Sequence, residues 1–342
     1  MRNKVGLAAL LLALLALLAL TGCDKRPSGS IGLTESDETK YDYSNGMAFA
    51  LTADGEGYRV KWSGLCREET VTVPETYKGK PVTELAEFAF GSAENLKSVV
   101  LPESLKAIGN GAFSGCVLLE TVNIPEGVTV IGKNAFDKCQ SLPALSIPDG
   151  VQEIGEMAFR GCASLTELVL PSGLTEIAES LLQECIKLTQ VNIPAGVMHI
   201  GESAFANCTK LGAIELPQGL CFIGEAAFAG CESLREVTVP QGVPAIENWT
   251  FARCRSLTGV TLCDGIERIG CYAFNECTAL ESIQIPVSVK RIEHYAFGNC
   301  NKLELIGYPG SQTEWNAIEK LKLWAWNLPR GLVIGLSGSK TG

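Results

Sequence analysis

Phe113-Ser-Gly-Cys116-Val-Leu-Leu119-Glu-Thr-Val122-Asn-Ile124-Pro125-Glu-Gly127-Val128-Thr-Val-Ile131-Gly132 is the stretch whose reading decides the fold. Counting outward in steps of 23 lands on Phe90, Phe113, Phe136, Phe159, Leu182, Phe205, Phe228, Phe251, Phe274 and Phe297, with no insertion between them. Six residues after each stands Leu, from Leu96 to Leu303, and nine after stands Val, Leu or Ile. Pro usually follows the aliphatic residue eleven places on, with Cys263 as the exception. Self-similarity at one fixed period marks an array of stacked units, none of which can bury its apolar face alone.

Within a unit the Leu-x-x-Val-x-Ile-Pro segment places its last two apolar residues on one face of a short strand. Pro ends that strand because it cannot donate to a ladder. The Ala-Phe-x-x-Cys segment, apolar at i and i+3, reads as one or two helical turns. The fold class expected is an α/β repeat solenoid, a curved array of ten 23-residue coils with parallel strands on the concave side and helical turns on the convex side. The curve is expected because strands stack at roughly 4.8 Å and helices at roughly 8–10 Å.

The pattern Ala-Phe-x-x-Cys-x-x-Leu-x-x-Val-x-Ile-Pro-x-x-Val-x-x-Ile-Gly resembles the leucine-rich repeat of BspA-like bacterial surface proteins, over about residues 82–309. The Asn ladder typical of leucine-rich repeats is missing, a small residue standing near that place. The resemblance implies a cell-surface binding protein, often linked to adhesion, without a fixed set of binding residues.

Arg2 and Lys4 precede the apolar run Val5–Leu20, which ends in Leu20-Thr21-Gly22-Cys23. A basic start, a short apolar core and small residues at the cleavage point make a secretory signal. The last four residues resemble a bacterial lipobox, which implies cleavage before Cys23 and its acylation. The expected layout is a lipoprotein signal peptide at 1–22 and a flexible tether at 23–45, poor in aliphatics. A β cap follows at 46–81, then the solenoid at 82–309. A Trp-rich cap at 310–336 and a disordered tail at 337–342 complete it. In the cap Trp315 falls at the place of the repeat Ile, Asn316–Leu323 reads as a short helix, and Leu332–Leu336 as a closing strand. Localisation is therefore extracytoplasmic, at a membrane or cell surface.

Without Arg2 and Lys4 the chain carries 26 basic against 38 acidic residues, about −12. Such a body repels phosphate backbones and excludes nucleic acid as a partner. Nine of the 14 Cys hold one place per coil, and Ala93 holds it in the first. Exchange with Ala points to buried free thiols rather than bridges, since stacked equivalents point in parallel. Cys66, Cys221, Cys263 and Cys271 lie off this ladder. No Cys-x-x-Cys pair, His-Glu-x-x-His, Walker loop or Gly-x-Ser-x-Gly elbow occurs, so neither metal, cofactor, small-molecule substrate nor enzymatic role is expected. His199 and His294 stand at variable places of different repeats.

What remains is surface. The outward strand positions, eight and ten residues after the Phe, give the candidate concave binding face: Asn123, Glu167, Gln190, Asn192, Glu215, Glu236 and Gln284. Concave faces of solenoids hold protein partners, here a host or neighbouring-cell surface protein. The other reading is a structural envelope scaffold that self-associates without a foreign ligand.

Overall fold

Phe90, Phe113, Phe136 and Phe159 stack ring on ring with centroids 5.1–5.6 Å apart, and the second run, Phe205 to Phe297, repeats the arrangement at 5.2–5.5 Å. Leu182 divides the two runs. In the computed structural model this column is the axis of a parallel β-solenoid with one 23-residue coil per step. Residues 42–44, 46–62 and 68–337 are described. The expected signal peptide, Cys23, nearly all of the tether, Cys66 and all of the tail except Ser337 lie outside them.

Most coils contribute two short strands, one on each of two sheet faces. The first sheet holds Ser98–Val100, Thr121–Val122, Glu167–Leu168, Gln190–Val191, Glu236–Val239 and Gly259–Leu262, paired in parallel with equivalent residues opposite one another. The second holds the dipeptides that end in the repeat Ile, such as Val130–Ile131 against Glu153–Ile154. Inward residues are almost all fully buried.

The Ala-Phe side is built from tight turns, and α1 (Gln312–Ala317) is the α-helix among the described residues. Two residues of each coil adopt a left-handed backbone, for example Asn134 (φ 55°) and Lys138 (φ 60°), or Trp249 (φ 60°) and Arg253 (φ 61°). A left-handed residue costs about 1–2 kcal/mol and ends a right-handed helix. These residues persist because each donates its N–H to the next coil: Asn134 to Glu156 O at 2.8 Å and Lys138 to Arg160 O at 2.6 Å. Phe136 N–H does the same to Ala158 O at 2.7 Å. The turn side therefore stacks at nearly the strand spacing instead of the expected 8–10 Å. The Phe column steps by 5.1–5.6 Å, within about 1 Å of the strand spacing of roughly 4.8 Å.

All nine ladder cysteines are free and fully buried. Their Sγ donate to a carbonyl of the preceding coil, as Cys116 does to Phe90 O at 3.0 Å and Cys208 to Leu182 O at 3.2 Å. Parallel direction and this bond, rather than distance, keep them unbridged. Burial pushes the thiols of Cys116, Cys254 and Cys300 up to about 12.

At the N-terminal end β1 (Asp42–Ser44), β2 (Met47–Leu51) and β3 (Tyr58–Trp62) form an antiparallel ribbon that joins the second sheet through Lys80–Leu85. β1 lies inside the stretch expected to be tether. Within the β cap expected at 46–81, Thr76–Tyr77 pairs with Lys80–Pro81 in a small ribbon, whose Tyr77 ring stacks on Phe49 at 4.0 Å.

The C-terminal cap is a further coil lengthened by five residues. Glu319–Lys320 pairs with Arg291–Ile292 and Val333–Leu336 with Leu305–Tyr308, an offset of 28 in both. Lys320, not Trp315, therefore lies opposite Ile292. The insertion carries α1, four residues earlier than the expected helix, because Ser311 and Glu314 form a capping box. Trp315 is buried against Tyr308 and Trp324, and Lys320 Nζ sits over its ring at 4.5 Å.

Candidate functional site

The seven candidate residues all fall on the exposed side of the first sheet or its continuation. Their roles differ. Asn123 and Asn192 are tied to the main chain of the preceding coil. Asn192 Oδ1 accepts from Leu170 N–H at 2.7 Å and its Nδ2 donates to Leu170 O at 3.2 Å. Asn123 repeats this with Leu101 at 2.7 and 3.0 Å. Where this place holds Thr, at Thr238 and Thr261, the strands run four residues and pair through it. At Asn192 the ladder stops at Val191 and the side-chain amide takes over the pairing. The two Asn stand three coils apart, with Ser146 and Val169 at the places between them, so they act singly and form no ladder.

Gln284 lies over Gly307, where any Cβ would fall 2.1–2.3 Å from its amide. Glu236 extends similarly beside Gly259. Glu167 and Gln190 are direct partners across adjacent strands. Glu215 stands on a coil whose first segment makes no strand. The face thus presents Glu167, Gln190, Glu215, Glu236 and Gln284 outward, with Val169 among them at 70% exposure.

Charge along the solenoid is uneven. Residues 139–234 hold eleven carboxylates and three basic side chains, Arg160, Lys187 and Lys210. Residues 235–330 hold ten of each. In the latter, carboxylates and bases pair between coils, as Arg255 does with Glu276 at 3.4 Å and Lys290 with Glu267 at 2.6 Å, and Arg255 also reaches back to Glu232 at 2.7 Å. Arg160 holds Asp137 through two bonds, at 2.8 and 3.0 Å. Glu153, Glu167, Glu176 and Glu179 form no ion pair among the described residues.

A shallow groove of about 310 Å³ opens on the second sheet, lined in part by Glu156, Glu176, Glu179, His199 and Phe222. His199 is paired in register with Glu176 and Phe222, and the His199 and Phe222 rings are 6.5 Å apart. The sequence reading treated His199 as a variable exposed place and passed over the groove. Its signal was present: in steps of 23, Phe222 is an aromatic residue in a column otherwise filled by Ala, Val, Glu, His and Arg. His294 is elsewhere, with Nδ1 2.7 Å from Lys322 O.

No group of three or more His, Cys, Asp or Glu among the described residues has the geometry of a metal site. No helix among them is long and apolar enough to cross a membrane.

The repeat geometry agrees with the comparisons. A model of the BspA type leucine rich repeat region matches residues 83–212 and 199–318. The T. pallidum leucine-rich-repeat protein TpLRR is 33% identical, with 57% of this chain and 91% of that chain covered and a TM-score of 0.54. A leucine rich cell surface protein of Faecalibacterium prausnitzii A2-165 is 26% identical over 82% of this chain and 97% of its own, with a TM-score of 0.53. A leucine-rich repeat protein of Bacteroides ovatus, 24% identical over 86% and 100% with a TM-score of 0.52, shows the fold alone. No curated protein matches. With the family model spanning most of the solenoid and the same repeat geometry in these structures, this chain belongs to the BspA-type leucine-rich-repeat family.

Proposed function

We propose that this protein is a lipid-anchored, extracytoplasmic binding protein that holds a basic protein surface on its central coils, in adhesion or contact with a host or neighbouring cell. The observation that carries the reading is the eleven-to-three excess of carboxylates over bases between residues 139 and 234. Unpaired, exposed carboxylates of one sign draw an oppositely charged partner into encounter and set which partners are rejected. The binding face is the strand face around Glu167, Glu215 and Glu236, where Val169 adds apolar surface. Cys23 supplies the anchor and residues 24–41 the spacing from the bilayer.

The test compares capture of proteins from host extracellular and cell-envelope preparations by the wild-type chain and by two triple variants. Glu167, Glu215 and Glu236 changed together to Lys should abolish a salt-sensitive, saturable partner while the fold persists. If Glu156, Glu176 and Glu179 changed to Lys abolishes it instead, the groove is the binding face. Unchanged capture by both overturns the electrostatic reading. For the anchor, Cys23→Ser should release the protein from the membrane fraction, and retention would leave the uncleaved signal segment as the anchor. The alternative of a self-associating scaffold is favoured by the apolar C-terminal end.

A further inference from the structure

The two ends of the solenoid are finished differently. At the N-terminal end the outermost strand among the described residues is β1, three residues long with a carboxylate, Asp42-Tyr43-Ser44. Short, charged edges resist pairing with other chains. At the C-terminal end the outermost strand of the first sheet is Val333-Ile334-Gly335-Leu336, without a charge. Its inner side is paired: Val333 N–H donates to Glu304 O at 2.8 Å and Ser337 N–H to Tyr308 O at 3.1 Å. Strand alternation sends the N–H groups of Ile334 and Leu336 the other way, where no described strand lies.

The coil behind this edge is also open. Counting by its offset of 28, Ala325 and Gly331 stand where the preceding coil has Phe297 and Leu303. Trp324, Leu332, Ile334 and Leu336 pack on the core yet stay only partly buried, and Trp326 is 50% and Val333 56% exposed. Terminal repeats of solenoids require a polar outer face for solubility, and this one lacks it. Residues 310–337 hold two carboxylates and three bases, Lys320, Lys322 and Arg330. Two copies meeting here escape the repulsion that the central coils would impose.

We propose that the C-terminal end is a self-association surface on which two copies join end to end, with Val333–Leu336 of each pairing antiparallel about a two-fold axis. A second copy supplies what this end lacks in matching form, namely a strand edge of the same length, whose outward N–H groups meet no described strand, and an apolar coil end. Such a contact is isologous and closes at two copies. The central carboxylates remain open on both, so the assembly presents two binding faces. It deepens the scaffold alternative above but is independent of the binding reading, because a monomer could still bind a basic partner and a dimer could fail to.

The test uses residues 24–342, so that neither an acyl group nor the apolar run Val5–Leu20 drives association. Sedimentation equilibrium over a wide concentration range should give twice the chain mass, and hydrogen exchange should find the Ile334 and Leu336 amides protected. Val333→Lys, at an exposed position that leaves the packing intact, should raise the dimer dissociation constant at least tenfold and free those amides. Leu336→Pro, which removes an outward N–H, should do the same. Ser44→Lys at the opposite end should change nothing. A monomer at every concentration overturns the proposal, and a monomer with protected amides assigns the edge to another segment of the same chain. A dimer that survives both C-terminal variants, or one that Ser44→Lys disrupts, also overturns it.

Discussion

Replacing Asn192 by Ala separates a residue that binds from one that builds. The substitution removes two hydrogen bonds, at 2.7 and 3.2 Å, to the main chain of Leu170, which is only 2% exposed. A hydrogen bond contributes about 0.5–1.5 kcal/mol net, and a buried group left unpaired costs about 1–3 kcal/mol. Asn192 itself is exposed, so water reaches part of the gap and the sum falls to about 2–4 kcal/mol. Neighbouring Gln190, on the same face with no such bond, should change stability by under about 0.5 kcal/mol when truncated. Urea denaturation of both variants gives the difference. Because solenoid stability is a sum over neighbouring coils, hydrogen exchange should place the loss in the coils of Leu170 and Val191. Partner capture by the folded Asn192→Ala chain should match the wild type. A stability change under about 0.5 kcal/mol, together with lost capture, would refute the structural role and return Asn192 to the binding face.

The thiols offer two more outcomes. A thiol reagent at mild pH should label Cys221 first, since it is exposed, and Cys263 and Cys271 more slowly; the nine ladder thiols should stay unreacted until unfolding. Labelling of Cys116 or Cys208 in the native protein would break the buried-ladder account. Alkaline pH should also destabilise the fold. A thiol raised in the folded state to about 12, as at Cys116, Cys254 and Cys300, contributes stability that is complete below the unfolded value of about 8.5 and lost as pH rises towards 12. The unfolded chain then holds fewer protons, so stability falls with pH. Cys254→Ala should flatten the slope of stability against pH above about 9, and an unchanged slope would assign the loss to Tyr and Lys.

The fold was legible because one constraint repeats. Each coil must fill the same volume between two identical neighbours, so Phe, Leu, Ile, Gly and Cys recur at fixed places and the period survives variation elsewhere. The exchange of Cys116 and its equivalents with Ala93 revealed a small apolar slot for the same reason. The turn side was misread as helical because apolar residues at i and i+3 fit both a helix and a tight turn with two left-handed residues. Only the hydrogen bonds from Asn134 and Lys138 to the next coil distinguish them, and those are contacts between residues 22 apart. Within the cap, the helix and Trp315 were misplaced for a related cause: the coil is lengthened by five residues around α1, and the count of 23 cannot reveal where a register slips.

The candidate face was legible only as a set of outward positions. Alternation along a strand determines which side chains leave the core, and this the sequence alone settled for all seven residues. Whether an outward amide turns back to the main chain, as Asn123 and Asn192 do, or lies over a glycine, as Gln284 does, depends on what the adjacent coil places 5 Å away. The sequence likewise determined the charge of the central coils, since composition needs no geometry. The tertiary structure decided which of those carboxylates stay unpaired, that His199 and Phe222 share a groove, and that one end of the solenoid is left with an uncharged edge. Each of these follows from the register between coils, which is set by hydrogen bonds and packing across the stack and cannot be read along the chain.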